Sequence, residues 1–211
     1  MKEQLERIKN KIEQLKQLDQ NLTLFGSNKH KYNLNPTLSD ENVQNFEAVH
    51  KIILPNDYKD FLTKIGNGGV GPYYGLEPIE NSLFDDLDYK RSNSLLNPSQ
   101  PFPHTSPWNI EFVSTVNADD DEEEYERQYF EFSKNLMNGV LAISNFGCGV
   151  SINLVVNGEE YGNIWTDDRG NEGGIYPSHE LGNKEKITFL NWYELWLDNS
   201  LNEIKEKHKS N

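Results

Sequence analysis

The chain of 211 residues carries 34 acidic and 20 basic side chains, a formal net charge of −14, which disfavours contact with nucleic acid or an anionic membrane surface. A basic partner would complement this charge. The length suits one domain with a sizeable core, and the single cysteine, Cys148, excludes an internal disulfide framework and a cysteine-based zinc cluster. No apolar run reaches membrane-spanning length and the first residues lack the apolar core of a signal peptide, so we expect a cytoplasmic protein.

The first part of the chain is predicted to be mostly helical. Spacings of three and four predict an amphipathic helix over residues 3–18, formed around Leu5, Ile8, Ile12, Leu15 and Leu18. Residues 21–37 are predicted to form a loop with extended pieces. Ser39 is then a candidate N-cap for a second helix that carries Val43, Phe46 and Val49.

A glycine-rich stretch, GNGGVGPYYG at Gly66–Gly75, resembles part of a nucleotide-binding signature. It follows a third predicted helix, which starts after Pro55 and buries Tyr58, Phe61, Leu62 and Ile65. The negative end of that helix dipole would face the glycines, and no Gly-Lys-Ser/Thr follows. We therefore interpret Gly66 as the left-handed residue that ends the helix, and the rest as tight turns.

Residues 69–117 are predicted to form loops and short extended segments, and a helix is predicted to follow them. Tyr125, Tyr129, Phe132 and Leu136 would share one face of this helix, and Gly139 would close it. The six acids of residues 119–124 would occupy its first turns, where carboxylates complement the helix dipole. The helix start is the favoured interpretation, a docking surface for a basic partner is the alternative, and the two can coexist.

Three short segments rich in β-branched and aromatic residues, VLAISNF, VSINLVVNG and YGNIWTD, predict consecutive antiparallel strands, with NGEEYG as a hairpin connection. A C-terminal amphipathic helix, predicted to pack on the sheet, carries Phe189, Trp192, Tyr193, Trp196, Leu197, Leu201 and Ile204. Helices first, strands in the middle and a helix last favour an α+β fold with a mostly antiparallel sheet.

No set of residues predicts catalysis, a metal site or a cofactor. Cys148 lies between glycines in FGCGV, but none of the histidines stands in a recognisable catalytic context, so we interpret it as a buried structural residue. TDDRGNEGG contains oxygen-bearing side chains followed by glycine, which is typical of a calcium-binding loop. The third ligand position would fall on Arg169 or Gly170, so a solvated turn is the better interpretation.

The segment LPNDYKDFLTKIGNGGVGPYYGL resembles the signature of the SUKH immunity superfamily, which also includes the fungal regulator of cell-wall glucan assembly. LFGSNKHKYNLNPTLSD, FEAVHKIILP, GVLAISNFGCG, LVVNGEEYGNIWTDD and TFLNWYELWLD are similar to the longer bacterial form in the same order, over most of residues 22–198. Residues 79–121 match little. The resemblance implies one SUKH-like α+β domain at residues 22–211, behind an N-terminal helix at residues 1–21, with no enzymatic activity.

The resemblance also implies the role of an immunity protein, which binds and neutralises a cognate bacterial polymorphic toxin, often a nuclease. A regulatory or scaffold module for an endogenous partner is the alternative, and an enzyme using Cys148 or the Asp167 and Asp168 pair is a third. The sequence leaves the oligomeric state open. We hypothesise that turn-bordering acids and aromatic anchors contact the toxin: Tyr73, Tyr74, Asp119, Asp120, Asp121, Glu122, Glu123, Glu124, Glu159, Glu160, Trp165, Asp167 and Asp168.

Overall fold

The computed structural model describes residues 2–90 and 95–210. Within these residues the fold is α+β, as predicted, with six α-helices and one four-stranded sheet. The helices are α1 (Lys2–Leu18), α2 (Ser27–His30), α3 (Asp40–His50), α4 (Asn56–Lys64), α5 (Glu122–Ser133) and α6 (Phe189–Ser210). The strands are β1 (Val140–Gly147), β2 (Val150–Val155), β3 (Ile164–Asp168) and β4 (Gly174–Pro177).

The sheet has the order β1-β2-β3-β4, and each strand pairs antiparallel with the next. The three predicted strands are confirmed, whereas the fourth was not predicted, since it has only four residues and ends in a proline. Alternate residues of the strands face two separate apolar clusters. Leu141, Leu154 and Ile164 contribute to the main core, and Val140, Val155, Trp165 and Ile175 to a second, smaller cluster. Both faces of the sheet are therefore covered.

The main core lies between the sheet and the helices. The first and last helices pack side by side, and Glu194 of α6 accepts from Arg7 at 2.8 Å and from Lys11 at 2.9 Å. Helix α6 also contacts α4, and its apolar residues share one cluster with those of β1, β2 and β3. The apolar stripe of α1, as predicted, is buried in that same cluster. The boundary at residue 21 stays a prediction, since α1 shares its core with the rest of the chain.

Local signals predicted the start of α3 correctly and the end of α4 incorrectly. Ser39 caps α3 as predicted, because its hydroxyl accepts from the backbone N–H of Asn42 at 3.1 Å. Gly66 does not have the left-handed φ that was predicted. Its N–H donates to the carbonyl of Phe61 at 3.0 Å, and a Cβ there would lie 2.8 Å from the carbonyl oxygen of Asn35. Close approach of the chain, and not a positive φ, thus favours glycine at this position.

The glycine-rich stretch is a crossing of closely packed backbone. Gly69, at φ 100°, bridges to Leu34 on one side and Leu76 on the other, and a Cβ on it would lie 2.5 Å from the carbonyl oxygen of Asn33. The N–H groups of Gly69 and Val70 donate to carbonyls of Leu76 and Asn33, at 2.9 Å and 2.7 Å. These amides are engaged within the chain, in agreement with the interpretation of the stretch as turns.

A buried polar cluster joins the end of α1 to α2. The Asp19 carboxylate accepts from the backbone N–H of Thr23 at 2.7 Å and from the hydroxyl of Tyr32 at 2.7 Å. Beside it, His30 Nδ1 accepts from the backbone N–H of Tyr32 at 3.1 Å, and within the described part of the chain Nε2 has no hydrogen-bond partner. Burial lowers the pKa of His30 to about 4, against the opposing charge of Asp19.

We expect mild acid to destabilise the fold through His30. The unfolded chain protonates this residue near its ordinary pKa of 6.5, whereas the folded protein does so only near 4, so stability falls as the pH drops through this window. The loss at about pH 5 should be about 2 kcal/mol. Urea unfolding at about pH 7.5 and 5 measures it, with His30→Asn as the reference, whose amide oxygen can still accept from Tyr32. Equal losses in the two proteins would contradict the assignment.

Candidate interaction surface

The turn between β1 and β2 stands at one end of the sheet. Gly147 pairs with Val150, so Cys148 and Gly149 form a two-residue turn with φ values of 54° and 76°. Positive φ at both positions matches the twist of a hairpin. Cys148 is exposed there, which corrects the expectation that it is buried, because such a turn points away from the sheet and its core.

An aromatic pair lies on one side of this turn. The rings of Phe25 and Tyr74 are 5.2 Å apart, both are exposed, and Phe25 is 58% exposed. The backbone N–H of Tyr74 donates to the carbonyl of Asn145 at 3.2 Å. Its ring lies so close to the turn that a Cβ on Gly147 would be 2.9 Å from Tyr74 Cε2. The hairpin therefore holds Tyr74 in place at the surface.

An acidic cleft of about 360 Å³ lies on the other side of the turn. Its lining includes Asp85, Asp86, Asp88, Asp167, Arg169 and Tyr129. Asp88 fixes the cleft to the hairpin, since its carboxylate accepts from Asn145 Nδ2 at 2.7 Å and from the N–H of Gly149 at 3.1 Å. Asn145 thus connects the aromatic pair to the cleft through its main chain and its side chain.

A buried ion pair forms part of the cleft wall. Arg169 donates to the two oxygens of Asp167 at 2.8 Å and 2.7 Å, and to Asp85 at 3.3 Å. Burial opposes the charge of Arg169, but hydrogen bonds and charge from Asp167 outweigh it and raise the pKa of the guanidinium. Burial raises the pKa of Asp85, and Arg169 offsets only part of that effect. Both carboxylate oxygens of Asp167 are therefore occupied in a structural ion pair with Arg169.

The second half of α5, the helix that begins within the predicted run of acids, lines the same cleft. Asp121 is the N-cap, accepting from the N–H of Glu124 at 3.1 Å, so the helix begins later than predicted. It also ends at Ser133, so Leu136 is not on the predicted helical face. Arg127 donates to Glu124 and lowers the pKa of that carboxyl to about 2. Residues 119–123 are exposed, and Tyr129 and Ser133, further along α5, line the cleft.

Four of the hypothesised contact residues are buried. Trp165 is 0% exposed and packs against Phe102, so the prediction that it anchors a partner is wrong: the second face of the sheet is covered. Tyr73 is buried against Phe146. Glu160 is buried and paired with Lys186, and Asp167 is buried with Arg169, so neither acid is available to a partner.

The remaining hypothesised residues reach the surface at different places. Asp168 ends β3 on the side of the hairpin turn, and it shares Asn171 with that turn, since Asn171 Nδ2 donates to Asp168 at 2.8 Å and to the carbonyl of Cys148 at 2.9 Å. Glu159 is exposed in the β2–β3 connection, at the opposite end of the sheet. The structure therefore brings Tyr74, Asp168 and α5 to one end and leaves Glu159 apart.

Two parts of this surface were not predicted from the sequence. Asp85, Asp86 and Asp88 form the short acidic run DDLD, which the charge argument applied to residues 119–124 would have found. Phe25 lay in a segment predicted as loop, and only its packing on Tyr74 marks it as part of a patch. Throughout residues 2–90 and 95–210, no group of three or more His, Cys, Asp or Glu side chains could hold a metal ion.

Comparison with known proteins places the chain in a family. The SMI1 / KNR4 family (SUKH-1) matches residues 37–181, from just before α3 to just after β4, which is well over half of the chain. The protein belongs to this family, and the resemblance seen in the sequence is confirmed. Neither a search of curated proteins nor a search of solved structures gave a match. No helix in the described residues is long and apolar enough to cross a membrane.

Proposed function

We propose that the protein is a non-enzymatic immunity protein that binds a basic polymorphic toxin, such as a nuclease, and neutralises it. Membership of the SMI1 / KNR4 family supports a binding role of this kind. The observation that carries the proposal is the juxtaposition, at one end of the sheet, of an exposed aromatic pair and an acidic cleft. We call this face, made of Phe25, Tyr74, the turn at residues 147–149 and the cleft, the hairpin surface.

The two halves of the hairpin surface suit different steps of binding. Acids attract a basic partner over a distance of about 8 Å at physiological salt, so they mainly raise the association rate. A nuclease presents a basic groove to nucleic acid, and an acidic surface can occupy it in place of phosphates. Aromatic side chains that become fully buried in the complex mainly slow dissociation. Phe25 and Tyr74 are of this type.

A regulatory or scaffold role for an endogenous partner is the alternative function, and family membership is compatible with it. The hairpin surface would serve either partner. The neighbouring gene distinguishes the two functions, because the gene of an immunity protein is expected beside a gene for a large secreted protein with a C-terminal toxin domain. The toxin domain from that neighbouring gene is therefore the ligand to test, and survival of cells that express it together with the immunity protein is the functional measurement.

Neutralising exposed acids should slow association with this toxin. Asp119, Asp120, Glu122 and Glu123 are exposed, and none of them is an N-cap or an ion-pair partner of α5. Changing these four to Asn and Gln should lower the association rate about tenfold at low salt and flatten its salt dependence. The matched control neutralises Glu3, Glu13, Asp40 and Glu41, which are exposed on α1 and α3. If the association rate of the parent protein does not depend on the salt concentration, the proposal that these acids accelerate association is wrong.

Removing the aromatic ring at the hairpin should instead speed dissociation. Tyr74→Ala is expected to raise the dissociation rate about tenfold and leave association nearly unchanged, since the ring is apolar surface in contact with the partner. Tyr161→Ala is the matched control, because Tyr161 is also exposed but lies in the β2–β3 connection at the other end of the sheet. Stopped-flow fluorescence measures both rates, with the dye on the toxin domain so that the hairpin surface stays unlabelled. Equal effects from the two tyrosines would contradict the assigned location.

A further inference from the structure

A second groove adjoins the acidic cleft on the outer side of α5. It measures about 270 Å³ and lies between α5 and residues 95–97. Its lining combines apolar side chains, Leu95, Leu96, Tyr129, Phe130 and Met137, with polar ones, Asp85, Asn97, Ser133, Lys134 and Asn138. Leu95 is 56% exposed and Phe130 is 58% exposed. Asp85, Tyr129 and Ser133 line both the groove and the cleft, so the two are continuous. An exposed apolar site of this kind, bordered by polar residues, is typical of an interface.

The packing of α5 does not require Phe130. The helix is held from one side, where Phe112 lies between the rings of Tyr125, Tyr129 and Phe132, at 5.5, 5.3 and 5.2 Å. No described residue of α5 is buried. Since consecutive residues of a helix differ by 100° in direction, Phe130 points away from the side on which Tyr129 and Phe132 meet Phe112. Its ring contributes apolar surface to the groove.

The charge around the groove indicates what can occupy it. Residues 119–134, which contain α5, carry eight acids and two bases. Both bases are already ion-paired within the helix, Arg127 with Glu124 and Lys134 with Glu131. The lining of the groove holds one charge of each sign, Asp85 and Lys134, whereas the segment that forms one of its walls has eight acids against two bases, so the surroundings of the groove are negative. A second copy of this chain, with its net charge of −14, would be repelled, whereas a segment with apolar and basic faces would be complementary.

We propose that this groove takes the apolar face of a basic amphipathic helix of the partner protein. A helix fits because α5 forms one wall, and a second helix lying along it would seat its i, i+3, i+4 and i+7 side chains between Leu95 and Phe130. Its basic residues would then face the acids of α5. The inference rests on the proposed function for the identity of the partner, and it extends the hairpin surface across Tyr129 into one longer interface.

A model peptide tests the groove without the toxin. The probe is a synthetic helical peptide with leucines at i, i+3, i+4 and i+7 and lysines between them, and a peptide of the same composition in scrambled order is its control. Phe130→Ser and Leu95→Ser should each weaken binding of the patterned peptide about tenfold, measured by fluorescence anisotropy. Ile53→Ser, at a 69% exposed isoleucine that does not line the groove, should leave binding within about twofold.

Every outcome of this experiment decides the proposal. Equal binding of the scrambled peptide, equal effects from Ile53→Ser, or no binding of the patterned peptide at millimolar concentration would overturn it. Titrating the same variants with the toxin domain distinguishes a failure of the groove assignment from a failure of the proposed function. If the toxin binds the parent and the Phe130 and Leu95 variants equally, the groove assignment fails and the proposed function stands. If the peptide requires Phe130 but the toxin does not bind the parent, the proposed function fails and the groove assignment stands.

Discussion

Trp165→Ala is expected to destabilise the fold by about 4 kcal/mol. The indole is completely buried on one face of β3, and its ring lies 5.0 Å from that of Phe102. Removing it leaves a cavity between the sheet and the segment that covers its second face. Because a domain of this size has a free energy of unfolding of only about 5–15 kcal/mol, the change should remove a large part of the protein's stability. Urea unfolding followed by far-UV circular dichroism measures the loss.

Trp165→Phe measures the effect of a smaller loss of packing at this position. The indole N–H has no hydrogen-bond partner among the described residues, so phenylalanine loses no bond and fills most of the volume. We expect it to cost about 1.5 kcal/mol. A Trp165→Ala protein that unfolds at the parent's urea concentration, but releases the toxin faster, would contradict the core assignment and restore the role of surface anchor.

The sequence could predict features that depend on neighbours along the chain. Ser39 caps α3 because its hydroxyl and the Asn42 amide are three residues apart, a spacing that is visible in the sequence. The apolar stripes of α1 and α6 follow the same helical period, and both are buried as predicted. The turn at Cys148 and Gly149 follows from glycines between two β-branched segments. Each of these features is set within a few residues.

The location of Trp165 depends on residues that are distant in the chain. Its segment predicts a strand correctly, but alternation along a strand does not indicate whether the second face of the sheet is covered. Phe102 and Met137, which cover that face, belong to the second apolar cluster. Phe102 lies in a proline-rich segment whose apolar residues follow neither the helical nor the strand spacing, and Met137 follows α5. A tryptophan beside predicted turns was therefore interpreted as an anchor.

The acidic cleft is non-local for the same reason. Arg169 contacts Asp85 across 84 positions of sequence, and Asn145 contacts Asp88 across 57. Charge counting located the acids of residues 119–124, of which 119–123 are exposed and Glu124 is paired with Arg127. It could not distinguish Asp168, at the surface, from Asp167, which is buried and paired. Which acids are available to a partner depends on tertiary pairing, and only the fold gives that information.

Arg169→Met is expected to destabilise the protein by about 3 kcal/mol, because it leaves the buried carboxylate of Asp167 without a counter-charge. The pair is almost fully enclosed, with 13% of the Arg169 side chain and 9% of the Asp167 side chain exposed. The matched control is Arg127→Met, which removes a similar bidentate pair with Glu124 at the surface and should cost far less, because water screens exposed charges. Urea unfolding of the two variants at neutral pH gives the difference.

The double variant Asp167→Leu/Arg169→Met determines whether the loss comes from the unpaired charge. With both charges removed, neither group is buried without its partner, so the double variant should be more stable than Arg169→Met alone. The double variant should recover only part of the lost free energy of unfolding, because Arg169 also donates to the carboxylate of Asp85. Without the guanidinium the pKa of Asp85 should rise further. If the double variant is less stable than Arg169→Met, the ion pair does not control this wall of the cleft, and packing of the arginine side chain is the stronger contribution.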